Sequence, residues 1–321
     1  MFHGMARGCR ERSPNRGISL LEEGWRRVLY QMTMFGFHSA RGTSLAKYTY
    51  LRSLWKRLFD LSRPRGIVLH ETHGSRMYLD LDDRGVGLAI LMGVFEPFET
   101  ELFARCIRDS MTVVDVGANV GYYSLLAARR VGNGGRVFAI EANPAVYSML
   151  LQNIAVNDYH EIIPVNRCVS NLSGEARFRI DRAVAGESGM LPRYEAERQD
   201  TITVDTGTLD DLLPDGAADV LKIDIEGAEG LALMGASRLL RNCRPQIFME
   251  FVPALLTKMG TPPADVLGTI KQYGYSTYLI NEKSRTLQTI ADEDEIPSGG
   301  NLFCTPPDKG RDVVLRLSGG N

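Results

Sequence analysis

Cysteine is scarce and unpaired: Cys9, Cys106, Cys168, Cys243 and Cys304 are scattered and nowhere in C-x-x-C spacing. That excludes a disulfide scaffold and a zinc ribbon, and reads as reduced intracellular thiols. Long apolar runs are also missing. Uncharged stretches such as 28–40 and 116–128 fall short of the roughly 18 apolar residues a membrane span requires. Arginines near the start are followed by no apolar segment, so no secretory signal is visible and a cytoplasmic location is expected. Internal repeats are absent, and the formal net charge over 321 residues is only −2. A chain that is 44% hydrophobic and 24% charged has core enough for one catalytic domain plus an extension.

The near-neutral balance conceals an asymmetry. Residues 1–65 hold 13 Lys+Arg against 4 Asp+Glu, which leaves the remainder acidic. Leu45, Tyr48, Leu51, Trp55, Leu58 and Phe59 recur at helical spacing there, with Lys47, Arg52, Lys56 and Arg57 on the other side. This pattern predicts a basic amphipathic helix. Its ordinary use is to pack its stripe on the domain; its sharper use is weak contact with a membrane surface or an acidic partner. Residues 1–42, rich in Gly, Arg and Ser, read as poorly ordered, and Met5, Met32 and Met34 are each able to start the chain.

What the sequence does have is concentrated in residues 113–123. Val113-Val114-Asp115-Val116 runs from β-formers into Gly117-Ala118-Asn119-Val120-Gly121, then into Tyr122-Tyr123. That is a buried strand feeding a helix through a small-residue loop where backbone approaches a ligand. Twenty positions beyond Gly121 a second strand, 136–140, ends on Glu141. A glycine loop followed at that distance by an acidic strand end suits an adenosine-type ligand, the carboxylate accepting both ribose hydroxyls. A dinucleotide site wants G-x-G-x-x-G; here the spacing is Gly117-x-x-x-Gly121, with Asp115 where that class keeps a small residue. A carboxylate there suits a cationic ligand, such as the ammonium and sulfonium of S-adenosylmethionine. The structural alternative makes Asp115 a turn cap and Glu141 a solvated strand end.

The rest of the chain alternates strand and helix patterns. A hairpin is predicted over 67–70 and 76–81, and a helix over 98–108. Asn143-Pro144 is an N-cap with proline at the first helical position, opening a helix to about 157. Further strands are expected near 162–169, 176–180, 201–205, 219–225, 246–251, 275–280 and 302–305. Such alternation predicts a mostly parallel sheet with both faces covered. Four strands end on acids: Asp115, Glu141, Asp224 with Glu226, and Glu250. In an open α/β sheet that is the edge where ligands bind. Period-2 alternation puts Lys222 on one face with Val220 and Asp224, and a lysine inside a strand needs a partner. Lys222 pairing with a nearby acid, or Asp224 and Glu226 capping the next helix, is the alternative to catalysis.

Taken together, Val114 to Tyr123, Glu141-Ala142-Asn143-Pro144, Leu209-Asp210-Asp211-Leu212 and Leu221 to Glu229 resemble the FkbM family of S-adenosylmethionine-dependent methyltransferases. Gly93-Val94-Phe95-Glu96-Pro97 and Ser188-Gly189-Met190 also look like family positions, and the resemblance covers roughly residues 75–255. It implies the class I, Rossmann-like methyltransferase fold: a seven-stranded, mostly parallel sheet with helices on both faces, here behind an N-terminal helical extension. The expected organisation is an extension at 1–65, the methyltransferase domain at 66–307 and a tail at 308–321. It implies S-adenosylmethionine as cofactor, and typically methylation of a hydroxyl on a sugar, glycolipid or secondary metabolite. Where the family often has an aromatic residue followed by Glu-Pro, this chain reads Ile140-Glu141-Ala142.

The cofactor-binding residues expected are Asp115, Gly117, Ala118, Asn119, Gly121, Glu141 and Asn143. Methyl transfer is an in-line displacement, so the protein aligns acceptor and methyl and excludes water. A hydroxyl acceptor must also lose its proton, which calls for a carboxylate or histidine within reach. Asp224 and Glu226 are expected in that role, with His70 and His73 as alternative bases. Converging carboxylates are able to hold Mg²⁺, but no spacing favours a metal and none is expected. The stretch 181–200 reads as an acceptor-side lid. The acceptor is expected to be a small molecule or glycan, not nucleic acid. The rival readings are a nucleotide-dependent oxidoreductase and a non-catalytic module that keeps the fold.

Overall fold

In the computed structural model the described residues are 65–309, apart from 84, 182–184, 193, 196–198 and 297. The expectations for 1–42 and for the basic amphipathic helix lie outside them. A compact unit begins at Ile67. Its first elements are β1 (Ile67–Thr72) and β2 (Ser75–Asp80), an antiparallel hairpin. The turn between them is made by His73 and Gly74, both at positive φ, a backbone state that glycine adopts without strain. Alternate residues Met77 and Leu79 of β2 are fully buried. Helix α1 (Val86–Leu91) follows, then α2 (Pro97–Cys106), which opens on proline.

The first βαβ units come next. Strand β3 (Thr112–Val116) feeds helix α3 (Tyr122–Val131), β4 (Arg136–Ile140) feeds α4 (Pro144–Ala155), and β5 (Ile162–Val165) completes the run. The expected strand over 162–169 is in fact two. Asn166 donates its side-chain amide to the carbonyls of Glu141 and Ala142, at 2.8 and 3.3 Å, and the chain leaves the main sheet there. Strands β6 (Cys168–Val169), β7 (Gly174–Arg179), β8 (Gly189–Met190) and β9 (Thr201–Gly207) form a separate four-stranded sheet. After α5 (Leu209–Leu212), β10 (Val220–Ile223) returns to the main sheet. Helices α6 (Glu229–Met234) and α7 (Ser237–Asn242) lead to β11 (Gln246–Phe251), and α8 (Pro253–Lys258) and α9 (Pro263–Gln272) to β12 (Ser276–Asn281). Strands β13 (Thr286–Ile290) and β14 (Gly300–Thr305) close it.

The main sheet runs β13-β12-β14-β11-β10-β3-β4-β5. The five strands from β5 to β11 are parallel; β14 and β13 run against them, and β12, paired antiparallel with both, runs with them. This is the class I methyltransferase fold with eight strands in place of the expected seven. The addition is β13, which pairs with β12 through a turn at Asn281–Thr286. Its short pattern of alternating polar and apolar residues carries too little signal to separate it from a loop.

Side-chain alternation sorts the core into two layers. Val113, Val137, Ala139, Val220 and Phe248 pack on one face with Leu102 and Phe103 of α2, Leu125 of α3 and Met77 of β2. Val114, Val116, Ile140, Leu221, Ile223 and Met249 pack on the other with Ala232, Leu239 and Ile270. The parallel strands therefore read as continuous apolar runs because both faces are covered. Strand β3 sits between β4 and β10, so the crossovers diverge there and leave a crevice at the strands' carboxyl ends. Among the described residues no helix is long and apolar enough to cross a membrane.

Candidate active site

The loop after β3 is shaped by two glycines. Gly117, at φ 82°, and Ala118 donate their amides to the Ile140 carbonyl at 2.9 and 3.0 Å. A Cβ on Gly117 would stand 1.8 Å from the Asp224 carbonyl oxygen, so only glycine lets the loop lie against the end of β10. Gly121, at φ 98°, precedes α3 and would meet Leu150 at 2.8 Å if it carried a Cβ. Asn119 also has positive φ, and its own side chain accepts the Val120 amide at 2.8 Å.

Glu141 ends β4 only 8% exposed. Its carboxylate accepts the Asn119 amide at 2.9 Å and the Asn143 amide at 2.7 Å. Burial pushes its carboxyl up to about 7, against the pull of those amides. Asn143 caps α4, accepting the Ala145 amide at 3.1 Å. Asp115 is placed differently from a ligand-facing carboxylate: it is 2% exposed and takes the Ser124 hydroxyl at 2.6 Å. Burial raises its carboxyl to about 6. Asp115, Ala118, Gly121 and Asn143 thus form the support behind the cleft, while Gly117, Asn119, Glu141, Asp224 and Glu226 line it.

The opposite wall comes from the four-stranded sheet. Cys168, Val169, Phe178 and Met190 line the cleft, an apolar surface suited to a flat base. Gly186 and Ser188, from the stretch expected to be a lid, line it too. That wall was not legible beforehand, because β6 to β9 belong to a second sheet whose pairing is non-local.

Next to Gly117, at the ends of β10 and β11, the carboxylates converge. Oxygens of Asp224, Glu226 and Glu250 lie within 4.8 Å of one another. Glu226 is held at φ 55°, and burial, then the charge of Asp224, pushes it up to about 7. Glu250 is pushed up to about 9 by burial and by Asp224, Glu226 and Glu229, and its Oε2 accepts no hydrogen bond among the described residues. Lys222, 2% exposed, supplies the partner its position demanded: its Nζ lies 3.3 Å from Asp224 and 3.1 Å from Glu99. Burial alone would lower its pKa, but Glu99, Asp224 and Glu96 together hold it well above its usual value. Asn301 of β14 donates to both Glu96 and Glu99, and Tyr123 donates to Glu96 at 2.7 Å. Glu250 stands at the acidic strand edge where the sequence placed it, whereas Glu99 and Asn301 were missed as site-supporting residues, since only the folded sheet brings them to Lys222. His73 is engaged with the Tyr122 hydroxyl at 2.9 Å, and neither it nor His70 lines the cleft.

A model of the FkbM methyltransferase domain matches residues 115–277. The chain belongs to the FkbM methyltransferase family. S-adenosylmethionine is the cofactor of this FkbM protein, and the cleft fits it. Gly117, Asn119 and Glu141 line the cleft, and each Glu141 oxygen keeps a lone pair beyond the amide it already accepts. The methyltransferase sdnD of Sordaria araneosa is 29% identical over 165 residues, covering 40% of this chain and 63% of that protein. A tRNA(Phe) (4-demethylwyosine(37)-C(7)) aminocarboxypropyltransferase of Methanocaldococcus jannaschii is 31% identical over 88 residues, 27% of this chain and 34% of its own. The chain thus spans less than two thirds of these relatives. The solved structure of an FkbM methyltransferase from Methylobacillus flagellatus is 18% identical with a TM-score of 0.38, covering 69% of this chain and 56% of that one.

Proposed function

We propose that this FkbM protein transfers a methyl group from S-adenosylmethionine to a hydroxyl of a small molecule or glycan, such as a sugar, glycolipid or secondary metabolite. The observation that carries the reading is the meeting of two features at one sheet edge. Gly117 of the glycine loop lies against the Asp224 carbonyl at the end of β10, and Glu141, Asp224 and Glu226 line the same cleft. A ligand held by the loop and Glu141 therefore has Asp224 and Glu226 beside it.

The cofactor, when bound, supplies an electrophilic methyl on sulfur. The chain's part is to hold, orient and deprotonate. Glu141 accepts hydroxyls of the sugar ring, and the Gly117 backbone allows close approach. Asp224, fixed by Lys222, and Glu226 stand where the acceptor oxygen arrives, and either carboxylate takes its proton as it attacks. Ser188 and Met190 line the cleft on that side, and their part in the reading is to help exclude water from the transfer. Nucleic acid is not the acceptor we propose.

Calorimetry with S-adenosylhomocysteine tests the cofactor half. Binding is expected, and Glu141→Ala should weaken it by about 1–3 kcal/mol, the usual loss for a charged hydrogen-bond acceptor. Tight NAD binding with no response to either sulfur ligand would overturn the reading.

A further inference from the structure

Beside the cofactor cleft lies a second cavity of about 420 Å³ whose wall includes Arg179, Met190, Leu191, Glu226, Leu255 and Lys258. It shares Met190 and Glu226 with the cleft, so whatever fills it touches the carboxylate that faces the reacting atoms. Its size falls within the range of small-molecule sites, roughly 300–1,000 Å³. Met190, Leu191 and Leu255 give it an apolar stretch, and two cations give it a charged one.

Those cations are held by groups a ligand is able to replace. Arg179 donates to the Glu187 carbonyl at 2.7 Å and pairs with Asp181 at 3.4 Å. Lys258, the last residue of α8, pairs with Glu195 at 3.0 Å. Both pairs are partly open to solvent, so each is weak and exchangeable. Arg179 and Lys258 line the cavity, while Asp181 and Glu195 are not among the described residues that do. Glu187 lines it as well: its carbonyl accepts from Arg179, and its carboxylate adds a negative charge felt by Glu226, at the end away from the oxyanion proposed below. Glu226 repels an anion and accepts a hydroxyl. The two ends of a ligand are therefore sorted by charge, the hydroxyl toward Glu226 and an oxyanion toward the cations.

We propose that this cavity is the acceptor pocket and that the acceptor is an amphipathic hydroxyl compound carrying a carboxylate or phosphate, recognised by Lys258 and Arg179. The proposal rests on the methyltransferase reading and narrows it. Full-length protein saturated with S-adenosylhomocysteine is titrated with hexyl glucoside, hexyl glucuronide and hexyl glucoside 6-phosphate. At least one anionic probe should bind about tenfold or more tightly than the neutral one, the scale of one charge-assisted hydrogen bond; which anion wins separates carboxylate from phosphate. Lys258→Gln and Arg179→Ala should each remove most of that preference while leaving S-adenosylhomocysteine affinity unchanged, which also shows that the variants are folded. Equal binding of all three probes, binding of none, or a preference that survives both substitutions overturns the proposal. Loss of S-adenosylhomocysteine binding by the wild-type chain would instead remove the methyltransferase reading, and this one with it.

Discussion

Glu226 is where the chemistry is most exposed to test. Its backbone sits at φ 55°, in a region that costs a residue with a Cβ roughly 1 kcal/mol or more. The turn nevertheless aims its carboxylate at both the cleft and the acceptor cavity. Burial raises that carboxyl to about 7, which brings a general base close to neutral operating pH. Once an acceptor is in hand, Glu226→Gln or Asp224→Asn should lower kcat by about 10²-fold or more, the scale of a lost acid–base group. Cofactor affinity should change little. Only the ionised carboxylate removes a proton, so the wild-type rate should fall as pH drops through about 7. The Glu226→Gln variant should lose that limb of the profile. A limb that persists in Glu226→Gln but vanishes in Asp224→Asn would give the proton to Asp224.

On the scale of elements, β10 shows what could be read in advance and what could not. The alternation of Val220, Lys222 and Asp224 against Leu221, Ile223 and Ile225 was plain in the sequence, and the two core layers follow it. So was the need of Lys222 for a partner, and Asp224 at 3.3 Å is the one that two-residue spacing allows. The stronger partner, Glu99 at 3.1 Å, is fully buried in α2 and 123 positions away. No local pattern reports a contact at that separation. The glycine loop, Glu141 and the helix at Asn143-Pro144 were legible because their constraints are local: a positive φ, an acidic strand end, an N-cap. The apolar wall of the cleft and β13 were not, because they depend on pairings formed after the chain leaves and re-enters the sheet. The ion pair gives a test at this scale. Lys222→Met strands Glu99 in the core and should destabilise the fold by about 3–5 kcal/mol, as removal of one partner of a buried pair does. Adding Glu99→Gln should recover much of that loss. A single variant as stable as wild type in urea titration would show that the pair contributes nothing to the fold.

Over the whole molecule, the carboxylates gathered at one sheet edge tie stability to pH and to the cofactor. Burial is the first cause that raises Glu141, Glu226 and Glu229 to about 7 and Glu250 to about 9, from an ordinary 4.5. A raised folded-state value means that the native chain binds these protons more tightly than the unfolded chain does. The stability they contribute is therefore complete below about 4.5 and is lost as pH rises through the folded values. The Tm of the cofactor-free protein should fall between about pH 5 and about pH 9. Glu250, with an oxygen that accepts no hydrogen bond among the described residues, should dominate the upper half of that window. Glu250→Gln should therefore flatten the slope and raise Tm at about pH 8. A cationic ligand relieves the same repulsion, so S-adenosylmethionine should raise Tm more than uncharged-sulfur S-adenosylhomocysteine, and the gap should widen as pH rises. A Tm flat across the window, or a gap that narrows with rising pH, would mean that these carboxyls are not held in their protonated forms by the fold.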